Sequence, residues 1–222
     1  MNNQLKDLFN HLNNNCRYLV LRNWDNLLDE SIYGQGHEDI DVLCEDLGEF
    51  IKITGAKRVH SEKDRDNYVV PFEGMNVRFD VRWVGDGYYP EGMERAMLNN
   101  RRMNEQSVFI PSIVDYYYSL AYHALLQKPS VSEEYLEKLN QVRQILTQTR
   151  ASIEQSAISI ELCDFLKKNE WKFEYPNDPG VYVNYSGIKV FPVKRNLRRI
   201  VKRKLLLCKQ RFFVYLNLLS RS

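Results

Sequence analysis

Asp39 and Asp41 stand two residues apart in Gly36-His-Glu-Asp39-Ile-Asp41-Val-Leu43, a run that alternates polar and apolar residues. On a strand, alternate residues point the same way, so the two carboxylates share one face while Ile40 and Val42 take the other. Carboxylates about 7 Å apart along a strand repel each other. A divalent cation held between them removes that cost, and hard carboxylate oxygens suit Mg2+ or Mn2+. A second run, Asn76-Val-Arg78-Phe-Asp80-Val-Arg82-Trp83, places Arg78, Asp80 and Arg82 on one face and four apolar residues on the other. An Asp-x-Asp by itself is more often a solvated strand edge. With the second strand as its neighbour, Asp80 completes a three-carboxylate site and the arginines stand ready for phosphate. Three carboxylates and two metal ions equip a site for in-line phosphoryl or nucleotidyl transfer.

These residues need strands to hold them, and the chain supplies the patterns. Leu5, Leu8, Phe9 and Leu12 fall at helical spacing and predict a helix over residues 3–14. Arg17–Arg22 reads as a strand, 39–43 as a second, and 45–54 as a helix closed by Gly55. Residues 68–70 and 76–83 read as two strands of a hairpin turning at Glu73-Gly74-Met75. Beyond Gly85-Asp86-Gly87 the pattern turns helical, over 91–102, 112–127, 132–148 and 151–168. A turn cluster at 175–180 precedes a short strand candidate at 181–183, and residues 195–219 predict one long basic helix. The expected class is α+β: a mixed-sheet core flanked by helices, then a mainly helical region. The expected divisions are 1–105, 106–175 and 176–222.

The order of strand, turn, helix, hydrophobic-Asp-hydrophobic-Asp-hydrophobic and a later strand with a third Asp resembles the nucleotidyltransferase superfamily of DNA polymerase β type. The resemblance covers about residues 15–105, and the helices after it are similar to the partner domain that many such enzymes append. It implies two Mg2+ ions (or Mn2+) and transfer from a nucleoside triphosphate. It also implies that Asp39 and Asp41 are paired metal ligands and that Asp80 is a third carboxylate helping to activate the attacking hydroxyl. The family places Gly-Ser at the turn after its first strand, whereas this chain carries Leu21-Arg22-Asn23-Trp24-Asp25. Arg22 and Asn23 are expected to hold phosphate there by charge and amide instead. The LicD and fukutin-like phosphotransferases, a related branch, also carry Asp-x-Asp and move phosphocholine or an alditol phosphate from a CDP-activated donor. Val84–Pro90 and Asp115–Ala124 look like segments of nucleotidyltransferase-like proteins associated with bacterial polysaccharide genes. The expected partners are therefore a nucleoside triphosphate or CDP-activated donor and a glycan or lipid-linked acceptor.

Several features admit two explanations. Gly85-Asp86-Gly87 is a loop lining the donor pocket, with Asp86 an extra ligand, or a simple turn. The tyrosines at 116, 117, 118 and 122 around His123 read as core packing rather than a base-stacking platform. His37 touches a phosphate or is solvated.

The 222 residues are 44% hydrophobic and 27% charged, ordinary for a globular chain. Four dispersed cysteines form no metal or disulfide pattern, and thiol catalysis has no support. With no signal-peptide core and no long apolar run, the expected location is the cytoplasm, with peripheral contact at the inner face of the membrane. Residues 194–222 hold ten Lys or Arg and no acidic residue. Removing those ten from the total of 31 leaves 21 basic against 29 acidic, a body of charge −8. Nucleic acid is not the expected partner of such a body. The tail can lie on an anionic bilayer through 195–219, pack on the acidic body, or meet a partner. Competing functions are a sugar-nucleotide glycosyltransferase using Asp-x-Asp and an inactive nucleotide-binding module of the same fold. The first normally places about a hundred residues of βα units before its motif, and this chain has 38.

Overall fold

The computed structural model describes residues 3–25, 27, 39–60, 66–72 and 75–219. His37 and the turn residues 73 and 74 lie outside that set. Helix α1 (Asn3–Asn15) forms where the spacing predicts it, and Leu5, Leu8, Phe9 and Leu12 are all buried. Strand β1 (Tyr18–Val20) is shorter than the sequence pattern suggests, although Leu21 still donates to the Asp41 carbonyl at 2.8 Å. Strand β2 (Asp39–Cys44) leads into α2 (Leu47–Thr54). Asp46 caps that helix by accepting from the Glu49 amide, and Gly55 ends it at φ 66°, a left-handed position that glycine adopts without strain. Strand β3 (Lys57–His60), which no alternating pattern announced, precedes β4 (Asp66–Phe72) and β5 (Met75–Trp83).

The five strands form one mixed sheet in the order β1-β2-β5-β4-β3. Strand β4 pairs antiparallel with β5, the hairpin the sequence implies. Strand β5 then runs parallel to β2, and that register sets Asp39 beside Arg78, Asp41 beside Asp80 and Leu43 beside Arg82. One face of the sheet packs Val20, Val42, Val77, Phe79 and Val81 against α1 and against Phe50 of α2. Each such side chain contributes about 1.5–3 kcal/mol by leaving water.

The chain continues through α3 (Glu91–Asn99), a two-strand hairpin of β6 (Arg102–Met103) and β7 (Phe109–Ile110), and then α4 (Ile113–Leu126), α5 (Glu133–Thr147) and α6 (Gln155–Lys168). Leu19, Leu21 and Leu43, on the second face of the sheet, join these helices in another core that includes Met93, Met97, Tyr117, Leu120 and Leu162. The aromatic stripe of α4 faces inward, as its period implies. Residues 181–183 are not a strand. Val181 and Val183 are buried and Tyr182 is exposed, but the alternation arises from packing under α4, where the Asn184 amide donates to the Leu126 carbonyl. The last element, α7 (Leu197–Leu219), is the basic helix.

The loop between β5 and α3 is held from below. Gly85 and Gly87 both have positive φ, and a Cβ on Gly87 would meet the Tyr175 carbonyl oxygen at 2.7 Å. Glu94, fully buried, accepts from the Gly85 and Tyr89 amides at 2.7 and 3.1 Å. Asp86 accepts from the Tyr88 amide at 2.6 Å. Burial pushes the Glu94 carboxyl well above the usual range and the neighbouring Asp86 charge pushes it further, so it keeps its proton. Burial also raises Asp86, against the pull of Arg82 and of the backbone amides. A carboxyl whose pKa is higher when folded holds a proton that the unfolded chain releases. The pair's contribution is therefore fully present below the ordinary carboxylate range and is lost as pH rises through the folded values. Unfolding of Glu94→Gln beside the parent from pH 4 to pH 8 should show the variant gaining on the parent steadily as pH rises. A constant gap would mean that Glu94 is ionised in the fold.

Candidate active site

The second face of the sheet opens, beyond Leu43, into a cleft of about 440 Å3. Its floor is the sheet: Asp39 and Asp41 from β2, and Asp80 and Arg82 from β5, with Arg22 and Asn23 entering from the turn after β1. The three aspartates do share one face on adjacent strands, and this follows from period two on each strand plus the parallel register between them. Asn23 has φ 59°, a left-handed conformation that Asn tolerates better than most residues. The opposite wall is helical and brings His123 from α4, Gln127 and Lys128 just after it, and Glu134, Tyr135 and Lys138 from α5. Val181 and Tyr182 close one side.

Each aspartate has a partner. Arg22 donates from Nε and Nη2 to the two oxygens of Asp41, at 3.1 and 2.9 Å. Arg82 Nη2 lies 2.8 Å from Asp80 Oδ1 and donates to Oδ2 at 3.0 Å, while Nη1 donates to Asp178 at 3.0 Å. Asn67 Nδ2 donates to Asp39 at 3.2 Å. Arg22 is 9% exposed and Arg82 4%. Burial works to discharge both guanidiniums, but the carboxylates beside them, Asp41 for Arg22 and Asp80 for Arg82, outweigh it and hold each well above the ordinary arginine value.

Tyr88 is the hub of the cleft. Arg22 Nη2 donates to its hydroxyl at 3.2 Å, His123 Nδ1 lies 2.9 Å from the same oxygen, and the Arg82 guanidinium sits 4.5 Å from the ring centroid. Gln127 Nε2 donates to the Tyr88 carbonyl and its Oε1 lies 3.0 Å from His123 Nδ1. Burial raises the Tyr88 phenol, and Arg22 and Arg82 partly offset this, so it stays protonated at neutral pH.

Of the residues named from the sequence, the cleft brings together Asp39, Asp41, Asp80, Arg22, Asn23 and Arg82. Arg78 is exposed on β5, opposite Asp39 in the register, and is not among the lining residues. Asp86 is buried in the loop of residues 85–89, where it receives the Tyr88 amide; it supports the hub without lining the cleft. Sequence reasoning missed the whole helical wall, Tyr88 and Asp178. The tyrosines around His123 pack in the core as their spacing implies, whereas His123, itself buried, also lines the cleft. Among the thiols, burial pushes Cys16 up to about 12 and raises Cys44, which leaves both unreactive.

No protein-family profile and no curated protein sequence matches this chain. Among solved structures, the chain is similar to the solution structure of the antibiotic-resistance factor ANT(2'')-Ia, at a TM-score of 0.41 and 14% identity. That similarity spans 77% of this chain and 95% of the other. A likeness of this size does not define function, which lives in the site.

The donor set can be tested against a divalent cation. The oxygens are hard and come from neighbouring strands, and both oxygens of Asp80 face Arg82 Nη2, at 2.8 and 3.0 Å, so a cation there would share them with that guanidinium. In the present arrangement Arg22 occupies both oxygens of Asp41, and among the described residues no three His, Cys, Asp or Glu side chains are gathered into a metal-binding group. The residue types fit such an ion, and in this arrangement the guanidiniums of Arg22 and Arg82 neutralise two of the three carboxylates. Among the described residues Arg22 Nη1 and Arg82 Nε are buried without a hydrogen-bond partner, two donor nitrogens suited to an anion entering the cleft.

Proposed function

We propose that the chain is a metal-dependent nucleotidyltransferase or phosphoalcohol transferase acting on a hydroxyl acceptor. One observation carries this: Asp41 and Asp80 are direct neighbours across parallel strands, with Asp39 on the same face, in a cleft that also holds Arg22, Arg82, Lys128 and Lys138. Asp39, Asp41 and Asp80 would hold the divalent cation, which supplies positive charge where the transferring phosphoryl group becomes more negative. Arg22 and Arg82, each with one unused N–H, bind the donor's phosphates from the sheet side. Lys138, now donating to Asn23 Oδ1 at 3.2 Å, and Lys128, 5.8 Å from the Tyr135 ring centroid, bind them from the helical side. Asp80 accepts the proton of the acceptor hydroxyl as its oxygen bonds to phosphorus. The bond to the leaving pyrophosphate (or to CMP, for a CDP-alcohol donor) breaks in line. Arg82, bridging Asp80 and Asp178, fixes the orientation of that base. The site acts by positioning and fixed charge.

A binding module without chemistry is the second reading, favoured by the bidentate grip of Arg22 on Asp41. Calorimetry with ATP, CTP and a CDP-alcohol, each with and without Mn2+, separates the two. For the enzyme, donor binding should strengthen at least about tenfold with Mn2+, and Lys138→Ala should weaken it by about fivefold to tenfold, the worth of one charge-assisted contact. Product should then form with a hydroxyl acceptor. Binding unaffected by Mn2+ and without turnover would establish the module instead.

A further inference from the structure

Over residues 197–208 the basic helix α7 is docked on one side and exposed on the other. Arg199 donates to Glu174 at 2.9 Å and to the Gly85 carbonyl at 2.7 Å. One turn later the buried Arg203 donates to the carbonyls of Asp178, at 2.8 Å, and of Val181. These two arginines, four residues apart, fix the rotation of the helix about its axis. The side turned away carries Leu197, Val201 and Leu205 at 74%, 53% and 65% exposure, spaced i, i+4, i+8. Arg198 and Lys202 line the same shallow groove, and Lys204 is exposed beside it. An apolar stripe bordered by cations, with no acidic residue from 194 to 222, is the pattern of a helix lying in a lipid headgroup layer. It does not cross the membrane, since among the described residues no helix is long and apolar enough.

We propose that α7 lies along an anionic membrane surface, with Leu197, Val201 and Leu205 in the acyl boundary and Arg198, Lys202 and Lys204 among the headgroups. Charge complementarity selects this occupant: the body of residues 1–193 carries −8, and the cations that face away from it need an anionic partner elsewhere. The apolar stripe separates a bilayer from RNA, which has phosphates for the cations but no apolar phase for exposed Leu and Val. The loop that Arg203 grips also supplies Val181 and Tyr182 to the cleft and Asp178 to Arg82, so a membrane-bound α7 holds the cleft next to the bilayer. The proposal does not depend on what the cleft does, because binding is measured with no donor, acceptor or metal present.

The test is flotation with vesicles of phosphatidylcholine alone and of phosphatidylcholine containing a minority of phosphatidylglycerol, at physiological salt. The full chain should favour the anionic vesicles by more than tenfold. Each cation removed should weaken partitioning about fivefold, so Lys202→Ser with Lys204→Ser loses more than tenfold. Val201→Asp with Leu205→Asp should lose at least as much, and both double variants should melt with the parent because the altered side chains face solvent. Equal binding to both vesicles would overturn the proposal. So would anionic binding that persists in the Val201→Asp, Leu205→Asp variant, which would mark a polyanion site. A parent that floats with neither vesicle but dimerises through this stripe would overturn it as well.

Discussion

Asp41→Asn should lower turnover by about a hundredfold to a thousandfold or more, the scale seen when one preorganised electrostatic group is removed from a site. The substitution keeps the shape, and the Asn carbonyl still accepts one N–H from Arg22. It removes the charge that faces Asp80 across the parallel register and with it a cation ligand. Two effects are then mixed, because Arg22 is buried and loses its counter-ion. Leaving a buried charge uncompensated costs about 3–5 kcal/mol. A thermal unfolding scan at the assay temperature separates them: the variant should be less stable and still folded, and saturating donor should not restore its rate. Asp80→Asn should act on turnover in the same direction. Turnover within a few fold of the parent for Asp41→Asn, with Mn2+ still strengthening donor binding, would refute the three-carboxylate assignment. Under the binding-module reading, Asp41→Asn affects nucleotide affinity and there is no rate to lose.

The face that carries the aspartates is legible in the chain because period two is a local property: Asp39 with Asp41, and Arg78 with Asp80 and Arg82, share faces whatever the strands pair with. The pairing was not local. That β5 lies parallel and directly beside β2 follows from the packing of the whole sheet, and a one-residue slip would have turned Asp80 into the opposite core. The arginine partners were harder still. Arg22 and Asp41 are 19 residues apart and Arg82 and Asp178 are 96 apart, and neither spacing marks an ion pair. Glu134, Tyr135 and Lys138 belong to an ordinary polar helix face, and Lys128 to the connection before it, until the fold sets them over the sheet. Asp86, between two glycines, reads as a turn residue or as an extra ligand, and in the fold it is buried and accepts the Tyr88 amide. The sequence leaves the basic tail open between a bilayer, the acidic body and a partner, because nothing local distinguishes Arg199 and Arg203, which dock, from Arg198 and Lys202, which do not.

Arg82→Met should destabilise the fold by about 3–5 kcal/mol, the cost of leaving buried charges without a partner. Arg82 is 4% exposed and neutralises two carboxylates at once, Asp80 in the sheet and Asp178 in the loop of residues 175–183, while its guanidinium covers the Tyr88 ring. Methionine fills the space of the aliphatic stem but supplies no donor, so both carboxylates stay buried with their charges facing each other. For a chain of this length the midpoint should fall by roughly 10 °C. Asp178→Asn should cost less, because Arg82 retains Asp80. The double variant Arg82→Met, Asp178→Asn should recover part of the single loss, since one of the two stranded charges is gone. Urea unfolding of the four proteins gives the coupling directly. If Arg82→Met unfolds within about 1 kcal/mol of the parent, or if the two losses simply add, the charges are solvated and Arg82 does not tie the sheet to the loop. The loop whose carbonyls Arg203 grips is also the one that Arg82 ties to β5, through Asp178 on one side and Asp80 on the other.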